Sequence, residues 1–502
     1  MRFAILLVLG LLSAPIWTAV PVAADSSGLS EIPLRPITDA QKRKKAALTA
    51  AAGRAEHTGR RRHEIDRYTE HGPKLSETPL PMLRKDEQPE PTPPVYEWGE
   101  KFLHPGPIAP GFTIPTGAVW QPALWIFGNY FATAGFANSG VGSTSGYISN
   151  RFDLTFNLKF TPTERVVLGI SPLSLNGDNT GFLFQDGNKP KFENAIGPNV
   201  QALFFEGDFG EIFPRLDPND NKGYDFGFAV GRQPTLFQGG IMINAPIDGA
   251  SVTRDTIMIP GLTPDTRVSV LVGHADRRSD RQNDNTAYMA GLFTETDLRA
   301  STVDVDAAYL TSNSTRGGDT FNFGISAVQR IGAVSTTFRV NTSSALENAG
   351  PAAGSGVLLT AETATTLPAS EDIVYVNGFG AFGSYTSVSR GEFAGGPLSR
   401  IGFLFTSPGA GLVGSPLSSV AKDVVGGAVG YQHFIDDNKS QLIFELAGRK
   451  DTDNSGQGIV ALGGQYLHAL DNRTSIQFSA FVSDGENRHV GYGGNILWRL
   501  RL

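Results

Sequence analysis

Arg151-Phe152-Asp153-Leu154-Thr155-Phe156-Asn157-Leu158-Lys159-Phe160 is the stretch on which the fold class turns. Every even-numbered residue in it is apolar and every odd-numbered one polar, the period of a strand with two unlike faces. A half-buried sheet of a soluble protein gives the same alternation, so recurrence and the way the strands are joined must decide. The pattern does recur. Tyr224, Phe226, Phe228 and Val230 oppose Asp225, Gly227 and Ala229, and Val303, Val305, Ala307 and Tyr309 oppose Thr302, Asp304 and Asp306. Further on, Leu442, Phe444 and Leu446 oppose Gln441 and Glu445, and Ile476, Phe478, Ala480 and Val482 oppose Gln477 and Ser479. Charged or small residues on the second face are what a water-filled lumen requires.

Connections alternate in length. Short turns fall at 161–164, 296–299, 330–332, 435–439 and 470–473; longer polar stretches rich in Gly, Asn, Asp and Thr fall at 173–198, 275–285, 342–370 and 449–456. Short turns on the periplasmic side and long loops outside belong to a transmembrane barrel, which predicts an all-β, antiparallel transmembrane β-barrel of about 16 to 18 strands over 113–502. The higher count includes strands at 199–206 and 395–406, and gives roughly 22 residues per strand and connection. An even count places both ends of the barrel in the periplasm.

Composition agrees. The chain of 502 residues has 59 Gly and 32 Phe with only 18% charged residues, a poor fit to helical enzymes and helical membrane proteins. Zero Cys excludes disulfides, thiolate metal sites, Cys nucleophiles and a lipoprotein anchor. Residues 1–24 read as a secretory signal: Arg2, an apolar stretch from Phe3 to Leu12, and Val22-Ala23-Ala24 before Asp25. From 25 to 112 the chain reads as a largely disordered, charged and Pro-rich periplasmic leader, without Phe up to Glu100 and closing on the extended spacer Pro89 to Pro94. Its basic stretch at 41–67 is a solvated linker or, on the functional alternative, a contact for an anionic partner. Residues 113–502 carry 27 Lys+Arg against 36 Asp+Glu, a balance that argues against nucleic acid as a partner.

The last strand presents Val490, Tyr492, Gly494, Ile496, Trp498, Leu500 and Leu502 on one face and Asn495, Arg499 and Arg501 on the other. With the signal and the aromatic-rich barrel, it resembles the assembly-signal strand of Gram-negative outer-membrane porins, although Leu502 stands where those proteins usually carry Phe. Gly231-Arg232-Gln233, followed by Gly239-Gly240 and Pro246-Ile247-Asp248-Gly249, resembles a strand end of porin and alginate-export families. The resemblance implies a cell outer-membrane channel for small hydrophilic solutes, in contact with outer-membrane lipids and the barrel assembly machinery, and for the porin class a homotrimer. It also implies that Gln233 to Ala250 is the third outer loop, folded into the lumen as a constriction. The apolar Leu236, Phe237, Ile241, Met242 and Ile243 would be poorly placed in water otherwise. Arg232 stands at its base and Asp248 near its end.

Arg151, Asp153, Lys159, Asp304, Asp306 and Arg339 are the further pore-lining candidates, with Gln233 beside Arg232, and rows of opposite sign would set a transverse field across a pore. Asp304 and Asp306, roughly 7 Å apart by strand rise, would suit a carboxylate pair, but lumen decoration is the better reading. His274, His433, His468 and His489 fall on separate segments without metal spacing. With no serine-hydrolase elbow and no P-loop, the expectation is a channel without catalysis or cofactor. Export of an anionic polysaccharide, which needs a lumen dominated by Lys and Arg, is the alternative, and a structural or adhesive barrel a third reading.

Overall fold

The computed structural model describes residues 92–502 apart from 104–109, 143, 220–222, 279–282, 314–316, 347–351, 369, 407–414, 437 and 454–455. The signal and most of the leader, including 41–67, therefore lie outside the described residues.

Eighteen antiparallel strands make the wall. They are β1 Ala123–Asn138, β2 Ser145–Lys159, β3 Arg165–Ile170, β4 Val200–Asp208, β5 Gly227–Phe237, β6 Ile243–Arg254, β7 Asp265–Arg278, β8 Asn283–Asp297 and β9 Ser301–Thr311. The second half comprises β10 Thr320–Ile331, β11 Val334–Ala345, β12 Gly356–Thr366, β13 Ile373–Ser384, β14 Lys422–Ile435, β15 Ser440–Asp451, β16 Gly458–Ala469, β17 Thr474–Gly485 and β18 Gly491–Arg501. Each pairs with its sequence neighbour, and β18 returns to β1 from Tyr492↔Asn138 to Arg501↔Asn129, closing the ring. Closure gives each wall strand a hydrogen-bonded neighbour on both sides, which is what allows a sheet to sit in lipid.

The faces follow the alternation. Phe136, Ile148, Val230, Val252, Val305, Phe444, Leu462 and Ile496 are exposed on the outside, whereas Ser149, Asp306, Asn341, Glu362 and Glu445 are buried on the inside. An apolar exterior around a polar interior is the build of an outer-membrane barrel.

Three sequence expectations need correction. The stretch 395–406 is no strand: it holds two short 3-10 turns, Pro397–Arg400 and Phe403–Phe405, inside the barrel. The stretch 342–370 is no loop, since it contains β12, so the two errors cancel and the count of 18 stands. The physical cause is common to both. Leu398, Leu404 and Phe405 pack against the inner face of the wall, where Leu358 of β12 meets them, so an apolar residue stands on the inner face of β12 between the outward Val357 and Leu359 and its alternation fades there. Finally, the leader does not run free to 112, because Tyr96–Trp98 already pairs with Ile126–Leu124 of β1.

Candidate functional site

The upper β5–β6 hairpin leaves the wall. Pro234 and Pro246 are cross-strand partners, and with no N–H on either they can only be a pair that does not bond across the hairpin. Their nitrogens then point toward β4 and β7, where no bond can form. Pairing with β4 duly ends at Leu203↔Arg232, and pairing with β7 at Ile247↔Ala275. Freed on both sides, the hairpin turns its tip into the lumen, where Ile241, Met242 and Ile243 are buried and Phe237 stacks on Phe293 at 3.6 Å.

The connection between β13 and β14, residues 385–421, folds in beside it. Ser389 and Arg390 pair in parallel with Ile243 and Asn244. Arginines pin the two segments together through the carbonyls of the hairpin tip: Arg390 Nη1 donates to Gly240 O at 2.7 Å and Arg400 Nη1 to Gly239 O at 2.7 Å. Burial lowers the Arg390 pKa to about 10, still high enough to keep it charged at neutral pH. On the wall, Glu362 holds Arg339 and, at 3.4 Å, Arg400. Glu445 accepts from the amides of Phe403 at 3.0 Å and Leu404 at 2.9 Å and from the Tyr375 hydroxyl. Leu398, Ile401, Leu404, Phe405 and Leu417, all but inaccessible to solvent, fill the space between.

The inner faces of β1, β2 and β18 form the other side. Arg151 lies 2.9 Å from Asp153 and over the rings of Phe393, at 4.0 Å, and Phe131, at 5.8 Å. Arg499 stacks on Phe131 at 5.5 Å and donates to Asn129 at 3.1 Å. Asp153 also accepts from Ser171 at 2.6 Å, and Glu392 from Asn199 at 2.8 Å. The infolded connection thus spans the lumen, reaching β2 through Phe393. Six to nine strands around the ring stand Glu295, Asp304 and Asp306 on β8 and β9, so the cationic wall of β1, β2 and β18 faces carboxylates, of which Glu295 lies 3.7 Å from Arg267 of β7.

The structure sorts the predicted site residues into three groups. Arg151, Asp153 and Lys159 lie on the inner face, Arg151 against Phe393 of the infolded connection and Lys159 at the far end of β2 on Glu100 and Trp125. Asp304, Asp306 and Arg339 also point inward but are spent on anchoring: Asp306 accepts from Gln238 of the hairpin tip at 2.8 Å and Asp304 from Ser326 at 2.6 Å. Arg232 and Asp248 fall on the outer face. They share the parity of Val230 and Val252 and bind each other at 2.7 Å, with Asp276 3.9 Å and His274 4.0 Å away. The assignment of Gln233 to Ala250 to one loop is therefore corrected, since only 238–242 is unpaired between β5 and β6; Gln233 itself points inward, accepting from Ser251 at 2.8 Å. Asp225 lies in the irregular segment ahead of β5. Sequence reasoning missed Arg390, Phe393, Arg400 and Tyr375. The signal for them was the apolar run 397–405 behind Gly395-Gly396-Pro397, which reads equally as a wall strand.

No protein-family model matches the chain, and no curated protein does. Among solved structures it is similar to a BenF-like porin from Pseudomonas fluorescens Pf-5 (10% identity, 76% of this chain and 99% of that one, TM-score 0.49). It is likewise similar to OpdQ of Pseudomonas aeruginosa (8%, 76% and 97%, 0.48). The fold is a closed antiparallel β-barrel of eighteen strands. A third similarity is to Wzi of Escherichia coli, an outer-membrane protein involved in group 1 capsule assembly and a carbohydrate-binding barrel (11%, 74% and 83%, 0.44). At these identities the likeness is one of fold.

Proposed function

We propose that this chain is an outer-membrane porin-type channel for passive diffusion of small hydrophilic solutes, without catalysis or cofactor. The observation that carries the reading is the inner wall of Arg151, Asp153, Lys159 and Arg499, charged and partly open to solvent, facing segments that fold in from the opposite side. Polar solutes orient in a transverse field, while apolar ones gain nothing from it. Export of a polysaccharide chain is less well supported, because a polymer needs a wide continuous path and the infolded segments are fastened by buried arginines. Homotrimers, processing at 24 and assembly through the last strand, with Tyr492, Ile496, Trp498, Leu500 and Leu502 toward lipid, complete the proposal. Outward charges at Arg232, Asp248 and Asp276 favour a polar surrounding there, at the headgroups or against a second copy.

The test is single-channel conductance of the purified protein in a planar bilayer, with reversal potentials in a salt gradient. Discrete ion-conducting steps are expected; a correctly folded barrel that never conducts would refute the channel.

A further inference from the structure

The geometry points to Glu100 and Phe102 as specificity-determining residues at the periplasmic mouth, carried into the lumen by the chain ahead of β1 and set on the lower end of the cationic wall. The assignment rests on the channel reading above.

Tyr96–Trp98 runs antiparallel to Ile126–Leu124. This edge of β1 is vacant at that level because the pairing with β18 reaches only Gly128, which exchanges backbone hydrogen bonds with Leu502. Pro93 O accepts from Arg473 at 3.0 Å, tying the same segment to the turn between β16 and β17. At Gly99 the chain bends inward with φ +80°, and a Cβ there would meet Pro122 O at 2.5 Å, so the bend requires glycine. Beyond it, Glu100 is held twice: its carbonyl accepts from Trp125 Nε1 at 2.7 Å, and its carboxylate lies 2.7 Å from Lys159 Nζ. Phe102 stands edge-on to Trp125 at 5.4 Å and Phe127 at 5.0 Å. Trp125, Phe127 and Lys159 share the inward parity of Phe131 and Arg151, so these contacts are made within the mouth.

Lys159 is the cation of β2 nearest the periplasm. With Glu100 on it, a solute passing this level meets a neutral pair in place of a free ammonium. A carboxylate or chloride must compete with a carboxylate that is tethered, and a tethered competitor acts at high effective concentration. Glu100 therefore lowers the anion preference of the mouth, and Phe102 lowers its width.

The experiment uses the full-length protein in planar bilayers under a potassium chloride gradient, with Glu100→Gln, Phe102→Ala, Phe102→Leu, Lys159→Gln and the Glu100→Gln/Lys159→Gln pair. Folding is checked by heat-modifiable gel mobility. Glu100→Gln should move the reversal potential toward chloride, and Phe102→Ala should raise conductance; Phe102→Leu, which keeps an apolar side chain on Trp125, serves if the alanine variant does not fold. Lys159→Gln, which leaves the Glu100 carboxylate unpaired, should move the reversal potential toward cations, and the double variant should return it to near the wild-type value. A wild-type protein that fails to conduct would sink the channel reading itself. Conducting wild type with unchanged reversal potential and conductance in the Glu100 and Phe102 variants would overturn this assignment alone, as would a Lys159→Gln reversal potential equal to that of wild type.

Discussion

Pro234 stands directly across from Pro246, and neither has a proton to give to the wall. A strand inside a sheet avoids proline for this reason; two at facing positions release a hairpin from both neighbours at once. Replacing both with Thr returns two donors aimed at β4 and β7. The hairpin should then spend less time in the lumen, and single-channel conductance should rise, more than in either single variant. Equal conductance in the double variant and wild type would mean that the Arg390, Arg400 and Asp306 contacts alone position the tip.

Charge selectivity should follow Arg151 and ignore Arg232. Arg151 sits on the inner face under Phe393, so Arg151→Ala removes a fixed positive charge from the lumen and should shift the reversal potential toward cations. Arg232 points outward onto Asp248, and Arg232→Ala should leave the reversal potential where it was. The reverse outcome would invert the face assignment of β2 and β5.

In β18, Ile496 is exposed to the outside and Asn495 is buried inside. A charge on the lipid face costs roughly 2 to 4 kcal/mol at the midplane and less near the interface. Ile496→Asp should therefore reduce the heat-stable folded fraction more than Leu500→Asp, which lies nearer the end of the strand, and folded yields at wild-type level in both would count against this strand as the lipid-facing closure.

Asp372 closes the short turn between β12 and β13 and reaches across to β14. It accepts from the Tyr431 hydroxyl at 2.6 Å, the His433 ring at 2.9 Å and the Phe434 amide at 3.2 Å. These donors, Tyr431 first, hold its carboxyl well below the usual carboxylate range, and burial opposes them only in part. A folded pKa below the unfolded value of about 3.9 stabilises above that value and loses its contribution as the pH falls through the folded one. Asp372→Asn should lower resistance to urea at pH 7, with the gap to wild type closing below about pH 4. A gap that persists unchanged into acid would assign the loss to geometry and not to charge.

How far the sequence could be read depended on whether the two faces of a strand met different surroundings. The stretch from Arg151 to Phe160 has lipid on one side and a polar lumen on the other, and its alternation predicted its orientation residue by residue, including Asp153 and Lys159. Where the lumen is packed with apolar chain, as beside Leu358 and Leu404, the contrast disappears and wall and filling look alike. Arg232 and Asp248 misled for a different reason. Charges on the outer face of a barrel break the pattern, so a Gly-Arg-Gln followed by apolar residues looked like the base of a lumen loop. The inward turn of the hairpin tip was legible from Ile241, Met242 and Ile243; that the two prolines at 234 and 246 face each other is visible only once the register is known.

The pairing of β1 with β18 also governs when an inside comes into being. Until Asn138 meets Tyr492 there is no enclosed space, and Ile401, Leu404 and Phe405 have no interior to enter. A soluble domain hides such residues as it collapses. Here they must be shielded in transit, then enclosed in the same event that turns Phe136 and Ile496 toward lipid, so two solvents are sorted at once and no single hairpin is a finished folding unit.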